Sequence, residues 1–134
     1  MGRILGIDHG TVRIGIAMSD ETAFLASPLT TVRAGKGAVD EIVALLEEYQ
    51  VETIVIGLPL NMDGSFGPAT EKVRKFSAKL AKKTDVPIME GDERLTTVTA
   101  HHNLREAGLD GKQRKSVVDM AAAQIILQDW LDTQ

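Results

Sequence analysis

The chain has 134 residues, of which 43% are apolar and 25% charged, with no cysteine and a net charge of −4. That length suits a single domain over residues 1–134 with a real core, while thiol catalysis, disulfides and zinc-ribbon chemistry are excluded. No apolar run approaches the roughly 20 residues of a membrane span, and the acidic balance argues against a protein that coats nucleic acid by bulk charge.

A strand pattern begins almost at once, so no signal peptide is expected and a cytoplasmic setting is the default. Apolar residues alternate on either side of His9-Gly10-Thr11, which makes residues 3–8 and 12–19 two strands of a hairpin. Phe24 to Val32 reads as a third strand, and Pro28, which cannot donate to a ladder, assigns it to an edge or a bulge. After the break at Gly35-Lys36-Gly37, Val39, Ile42, Val43, Leu46 and Tyr49 recur at helical spacing and predict an amphipathic helix over about 37–50. Thr53 to Gly57 is short and rich in β-branched residues, as befits a central parallel strand buried on both faces.

The loop from Leu58 to Gly67 leaves the carboxyl end of that strand, where open α/β sheets place their ligands. Pro68 opens a helix that runs to Lys83 with Val73, Phe76 and Leu80 toward the core. Val86 to Glu93 is the fifth strand, Thr96 to Ala107 a helix ended by Gly108, and Ser116 to Leu131 the last helix. Three consecutive strands followed by alternating helices and strands predict an α/β fold. Its sheet is mixed and five-stranded, three antiparallel strands and then parallel ones, with helices on both faces.

Asp8 closes the first strand, where a buried carboxylate is costly unless it is hydrogen-bonded, paired or bound to a metal; capping the turn is the alternative. With Glu93 at the end of the fifth strand and Asp119 on the last helix, it makes three carboxylates from three separate elements. Such hard oxygen donors suit a pair of divalent ions that cleave phosphodiesters. Asp92 and Glu93 point to opposite faces, so only one of them shares the face of Asp8. One turn beyond Asp119 lie Ala122 and Ala123, small enough for the helix to approach the sheet closely. The alternative for Asp119 is a first-turn acid favoured by the helix dipole. Without metal, three converging acids would repel, so Asp119→Asn is expected to leave the apo protein as stable or more so.

Gly10 suits a turn that needs positive φ, and Gly15 a strand whose backbone something approaches closely. Arg13 and Arg94 flank the strand carboxylates and either bind phosphate or pair with an acid. Thr11 offers a turn hydroxyl to the substrate or to the turn itself, and Asn61 lies in a loop that borders substrate or merely connects. Lys112, Arg114 and Lys115, in a Gly-containing loop just before Asp119, are the better phosphate candidates. Lys72, Lys75, Lys79 and Lys82 align along one helix stripe, ordinarily a solvated face, although they leave the molecule one basic side. His9 has no ligand-like spacing with His101 or His102 and stays outside the mechanism. Few aromatics are present for base stacking, so binding is expected to depend on backbone shape and phosphate.

Four blocks carry a family resemblance in order over nearly the whole chain: Asp8-His9-Gly10-Thr11, Gly57-Leu58-Pro59-Leu60-Asn61-Met62-Asp63-Gly64, Asp92-Glu93-Arg94-Leu95-Thr96-Thr97 and Asp119-Met120-Ala121-Ala122-Ala123. Together they resemble the YqgF/RuvX family of Holliday-junction-resolvase-like, pre-16S ribosomal RNA nucleases in the RNase H-like superfamily. The resemblance implies an RNase H-like fold whose first strand is central, beside the fourth. It implies that Asp8, Glu93 and Asp119 are the catalytic metal ligands, with Glu93 rather than Asp92, and that the cofactor is Mg²⁺ or Mn²⁺, as two ions. The implied activity is metal-dependent endonucleolytic processing of the 5′ end of pre-16S rRNA. Resolution of branched DNA and a non-catalytic module that binds nucleic acid or ribosomal particles are the alternatives, and monomer and homodimer both remain open. The opening hairpin also resembles the phosphate-binding hairpin of sugar kinases and actin-like ATPases, but those close two such domains over ATP and this chain has room for one.

Overall fold

Seven residues at the N-terminus already form the strand on which the sheet is centred. The computed structural model describes residues 2–59, 63–92 and 112–134, with the backbone alone for Asp92 and for residues 112–117. In chain order the elements are β1 (Arg3–His9), β2 (Arg13–Ser19), β3 (Ala26–Arg33), α1 (Ala38–Glu48), β4 (Val51–Leu58), α2 (Pro68–Ala81), β5 (Ile88–Asp92) and α3 (Lys112–Asp132). The sheet order is β3-β2-β1-β4-β5. β1 is antiparallel to β2 and parallel to β4, β2 is antiparallel to β3, and β4 is parallel to β5. The mixed five-stranded sheet is as the sequence pattern predicts, and its first strand lies beside the fourth as the family resemblance implies.

Period-two alternation splits the core into two layers. Leu5 and Ile7 of β1, Ile14 and Ile16 of β2, and Ile54 and Ile56 of β4 pack with Ile42 and Leu46 of α1 and with Val73, Phe76 and Leu80 of α2. Ile4, Ala17 and Val55 point to the other face and pack with Ala122, Ala123, Ile126, Leu127 and Leu131 of α3. Glycines bring α3 down onto the sheet. A Cβ on Gly6 would stand 2.7 Å from the Cβ of Leu127 and 3.1 Å from the Ala123 carbonyl oxygen, and one on Gly15 would overlap the Asp119 carbonyl. The close approach expected at Gly15 is therefore the contact of strand backbone with helix backbone.

Several boundaries differ from the sequence reading, each for a local reason. β3 starts at Ala26, not Phe24, because the Asp20 carboxylate accepts the N–H groups of Phe24 (2.8 Å) and Leu25 (3.1 Å) and holds both in a turn. Pro28 sits on the edge strand at a register shift, as predicted. β5 begins at Ile88, after Pro87, while the Val86 N–H is taken by the Thr84 hydroxyl at 3.2 Å. α3 starts at Lys112 rather than Ser116, so Lys112, Arg114 and Lys115 belong to a helix and not to a loop. Gly10 is absent from the positive-φ glycines, which among the described residues are Gly35, Gly37 and Gly64; a Cβ there would instead overlap the Arg13 carbonyl oxygen. Its requirement is space. The expected helix over 96–107 lies outside the described residues. No helix among those described is long and apolar enough to cross a membrane.

Candidate functional site

The end of β1 and the third turn of α3 converge on one face of the sheet. Ile4 and Gly6 of β1 face α3, so alternation puts Asp8 on that face too, at 2% exposure. In the antiparallel register Asp8 lies opposite Gly15, about 5 Å away between Cα atoms. Because Gly15 carries no side chain, the Asp119 backbone rests directly on it, and the Asp119 side chain is likewise 2% exposed. Two acids separated by most of the chain are thereby buried on neighbouring ground, a costly arrangement that needs compensation.

Part of that compensation is Arg13. From the start of β2, on the same face as Gly15, its Nε donates to Asp119 Oδ2 at 3.0 Å, and its side chain is 21% exposed. Of the two roles open to Arg13 from sequence, pairing with an acid is the one the structure displays. Asp119 also lies well inside α3, which begins at Lys112, so the first-turn dipole reading of this residue falls. The pairing with Arg13 also sets an attraction against the repulsion among acids on which the expected gain in apo stability from Asp119→Asn rests.

His9 follows Asp8 but turns to the opposite face, where its ring lies 4.7 Å from that of Phe76. Burial against α2 holds its pKa below the usual imidazole value and Lys72 pushes the same way, against the raising influence of Asp8. Thr11 is an exposed residue in the bend between β1 and β2. Glu93, Arg94 and Asn61 lie outside the described residues, as do the side chains of Asp92, Lys112, Arg114 and Lys115.

At the exit of β4, the Thr70 hydroxyl in the first turn of α2 accepts the Gly67 N–H at 3.2 Å and donates to the Pro59 carbonyl. Both ends of the Leu58–Gly67 loop are thus tied together.

Among the described residues no group of three His, Asp or Glu side chains gathers as a metal site. The two acids present nevertheless fit a hard divalent cation, being buried carboxylates with oxygen donors. The Arg13 guanidinium shares Asp119 with any such cation and would compete with it for that carboxylate.

Sequence reasoning missed a second feature at the same end of the sheet. On the α1/α2 side, a groove of about 890 Å³ runs from His9, Gly10 and Thr11 along α2 and is bordered by Lys36 and five lysines of α2 and the turn after it. Helical spacing shows the stripe of Lys72, Lys75, Lys79 and Lys82, but nothing local places Lys36 across from it.

The RuvX family, described as Holliday junction resolvase, matches residues 2–133. A Roseiflexus sp. (strain RS-1) protein named "Putative pre-16S rRNA nuclease" is 46% identical over 135 residues, covering 99% of this chain and 96% of its own. A Clostridium acetobutylicum protein of the same name is 47% identical over 133 residues, covering 98% of each. Among solved structures, Thermus thermophilus RuvC in complex with a Holliday junction substrate aligns with a TM-score of 0.57 at 15% identity, over 98% of this chain and 94% of its own. Fowlpox virus resolvase with Holliday junction DNA aligns with a TM-score of 0.58 at 9% identity, over 98% and 97%. At such identities these two structures share the fold alone.

Proposed function

The chain belongs to the RuvX family, and from that premise we propose that it is a metal-dependent endonuclease that hydrolyses phosphodiester bonds of structured nucleic acid. Its substrate on this reading is the ribosomal RNA precursor, at the 5′ end of pre-16S rRNA. The preference for RNA over branched DNA is supported by the relatives at 46% and 47% identity, which carry the pre-16S rRNA nuclease name, whereas the junction complexes are similar in fold only. The observation that carries the reading is the burial of Asp8 and Asp119 on one sheet face, brought together by the side-chain-free surface of Gly15.

Asp8 and Asp119 are proposed as metal ligands with Glu93 as the third. Gly91, two positions before Glu93, packs toward Val55 and Ile126 on the α3 side of the sheet, and period-two alternation is what supports Glu93 over Asp92. Asp8, Asp119 and Glu93 would hold the divalent ions, Mg²⁺ or Mn²⁺, whose chemistry would be to activate a water and offset charge on the leaving oxygen. The chain's own residues bind and orient. On this reading Asp119 keeps its carboxylate aligned through Arg13, and the partial exposure of Arg13 supports a second role in binding a substrate phosphate. Thr11, Asn61, Arg94, Lys112, Arg114 and Lys115 complete the proposed substrate-binding set, and a cytoplasmic setting accompanies the reading.

The test is cleavage of precursor rRNA and of four-way DNA junctions in parallel, with Mg²⁺ or Mn²⁺ and with excess chelator. Cleavage of the RNA that stops in chelator and in Asp8→Asn is expected; undiminished cleavage in chelator would remove the metal from the mechanism, and cleavage of junctions alone would move the substrate to branched DNA.

A further inference from the structure

We propose that the lysine-lined groove between α2 and the β3–α1 connection docks the phosphate backbone of a double-stranded RNA arm of the substrate. The inference rests on the nuclease reading above and deepens it by stating where the substrate lies once it leaves the acidic site. One wall of the groove carries Lys72, Lys75, Lys79, Lys82 and Lys83, and the facing one carries Lys36; Asp40 is the single acid among its described lining residues. Six of the chain's 15 Lys and Arg side chains thus border one concave surface in a molecule of net charge −4. Among the described residues, ion pairs engage Arg3, Arg13 and Arg74 but none of these six lysines. Like charges gathered in a concavity repel one another, and a bound polyanion relieves that repulsion while its own counterions are released.

The groove also selects among polyanions. Single strands are held largely by stacking bases on aromatic rings, and here Phe76 is only 8% exposed, with the His9 ring 4.7 Å away. Recognition therefore runs through the backbone, as it does for double-stranded RNA. From Lys72 to the end of α2 at Ala81 the helix rises about 14 Å at about 1.5 Å per residue, long enough to face more than one successive phosphate of a duplex strand. At its other end the groove includes His9, Gly10 and Thr11, the residues that follow Asp8 in the chain. A docked arm thus begins where the proposed cleavage site ends, on the opposite face of the sheet.

The experiment is a salt titration of binding to a fluorescein-labelled RNA hairpin and to an unpaired strand of equal length, in chelator so that no cleavage intervenes. The parent is compared with K72Q/K75Q/K79Q/K82Q and with the corresponding four Lys→Arg changes, each checked for an unchanged melt. Losing about four phosphate contacts should flatten the log–log salt slope for the hairpin by about 3. It should also weaken hairpin binding about tenfold or more at about 0.1 M salt, and the Lys→Arg protein should match the parent. An unchanged slope in the Gln variant overturns the inference, as does a loss confined to the unpaired strand. Where the parent still cleaves and Asp8→Asn does not, that failure touches the groove alone; a parent that neither binds nor cleaves RNA removes the nuclease reading with it.

Discussion

Gly15→Ala should loosen α3 and disorganise the acidic site in one step. A Cβ at Gly15 would overlap the carbonyl group of Asp119 and stand 3.2 Å from the Met120 nitrogen, all of it helix backbone that no rotamer change can move. Relief requires the helix to withdraw by on the order of 1 Å, and a gap of that width forfeits roughly a quarter to a half of the dispersion contact across it. The large side chains that α3 buries are Ile126, Leu127 and Leu131, at 5%, 0% and 8% exposure. Each contributes about 1.5–3 kcal/mol when fully buried, so the loss comes to about 1–4 kcal/mol, which brackets the usual cost of overpacking of about 1–3 kcal/mol. At a denaturant slope of about 2 kcal/mol per molar urea, a cost of about 2 kcal/mol lowers the unfolding midpoint by about 1 M.

The decisive comparison is Gly35→Ala. At that glycine φ is +111° and an added Cβ meets nothing within 4 Å, so the cost is conformational only. Both variants should lose stability, but only Gly15→Ala should also lose the rise in melting temperature on adding Mn²⁺, because only it displaces Asp119. Urea unfolding and Mn²⁺-dependent melts measure the two effects. A Gly15→Ala protein with the parent's midpoint and metal response would refute the idea that the glycine exists to seat the helix.

Asp119→Asn removes the charge that Arg13 holds at 3.0 Å and should lower apo stability by about 1–3 kcal/mol, while abolishing cleavage and most of the Mn²⁺ effect; thermal melts with and without metal read both. Arg13→Gln should also destabilise the apo protein, yet it removes a cation that competes for the same carboxylate and should tighten Mn²⁺ binding about fivefold, for a coupling of about 1 kcal/mol; calorimetric titration with Mn²⁺ reports it. Asp20 has its pKa lowered from 3.8 to about 2, first by the Thr22 hydroxyl and then by the Leu25 and Phe24 N–H groups. A depressed carboxyl contributes stability that is fully present above its unfolded pKa and is lost as pH falls through its folded one. Between about pH 4 and pH 2 the parent should therefore lose more stability than Asp20→Ala, and acid-series urea melts of the two proteins check the difference.

Much of the fold is legible in the sequence because its signals are local. The alternation in residues 3–19, Pro28 on an edge strand and the helical spacing from Val39 to Tyr49 each report a backbone preference within a few residues, and the mixed sheet follows from the succession of elements, whereas the place of the first strand beside the fourth comes from the family resemblance. Even Gly15 and the Ala122-Ala123 pair announce a close approach, since small residues on facing elements have few other uses. The Arg13–Asp119 pair is different: it joins residues 106 apart, and no periodicity carries information over that span. Lys36 opposite α2 is hidden for the same reason, since the stripe is visible along one helix but the facing wall exists only after folding. Other departures from the sequence pattern are local. Asp20 captured two N–H groups that a strand would have used, Gly10 serves space and not φ, and the run from Lys112 to Lys115, polar enough to pass for a loop, is the opening of a helix.

The proposed ligands Asp8 and Asp119 stand far apart in the chain, and this spacing governs the order in which the site is assembled during synthesis. During synthesis β1, β2 and β4 emerge well before α3, and until then Ile4, Ala17 and Val55 lack the apolar cover that Ile126 and Leu127 later provide. Contacts between distant segments form slowly because loop closure must precede them. The nascent chain is consequently without its second buried carboxylate until α3 has been made. A nuclease assembled in this order acquires its cutting site only after the messenger that encodes it has been read almost to the end of this segment.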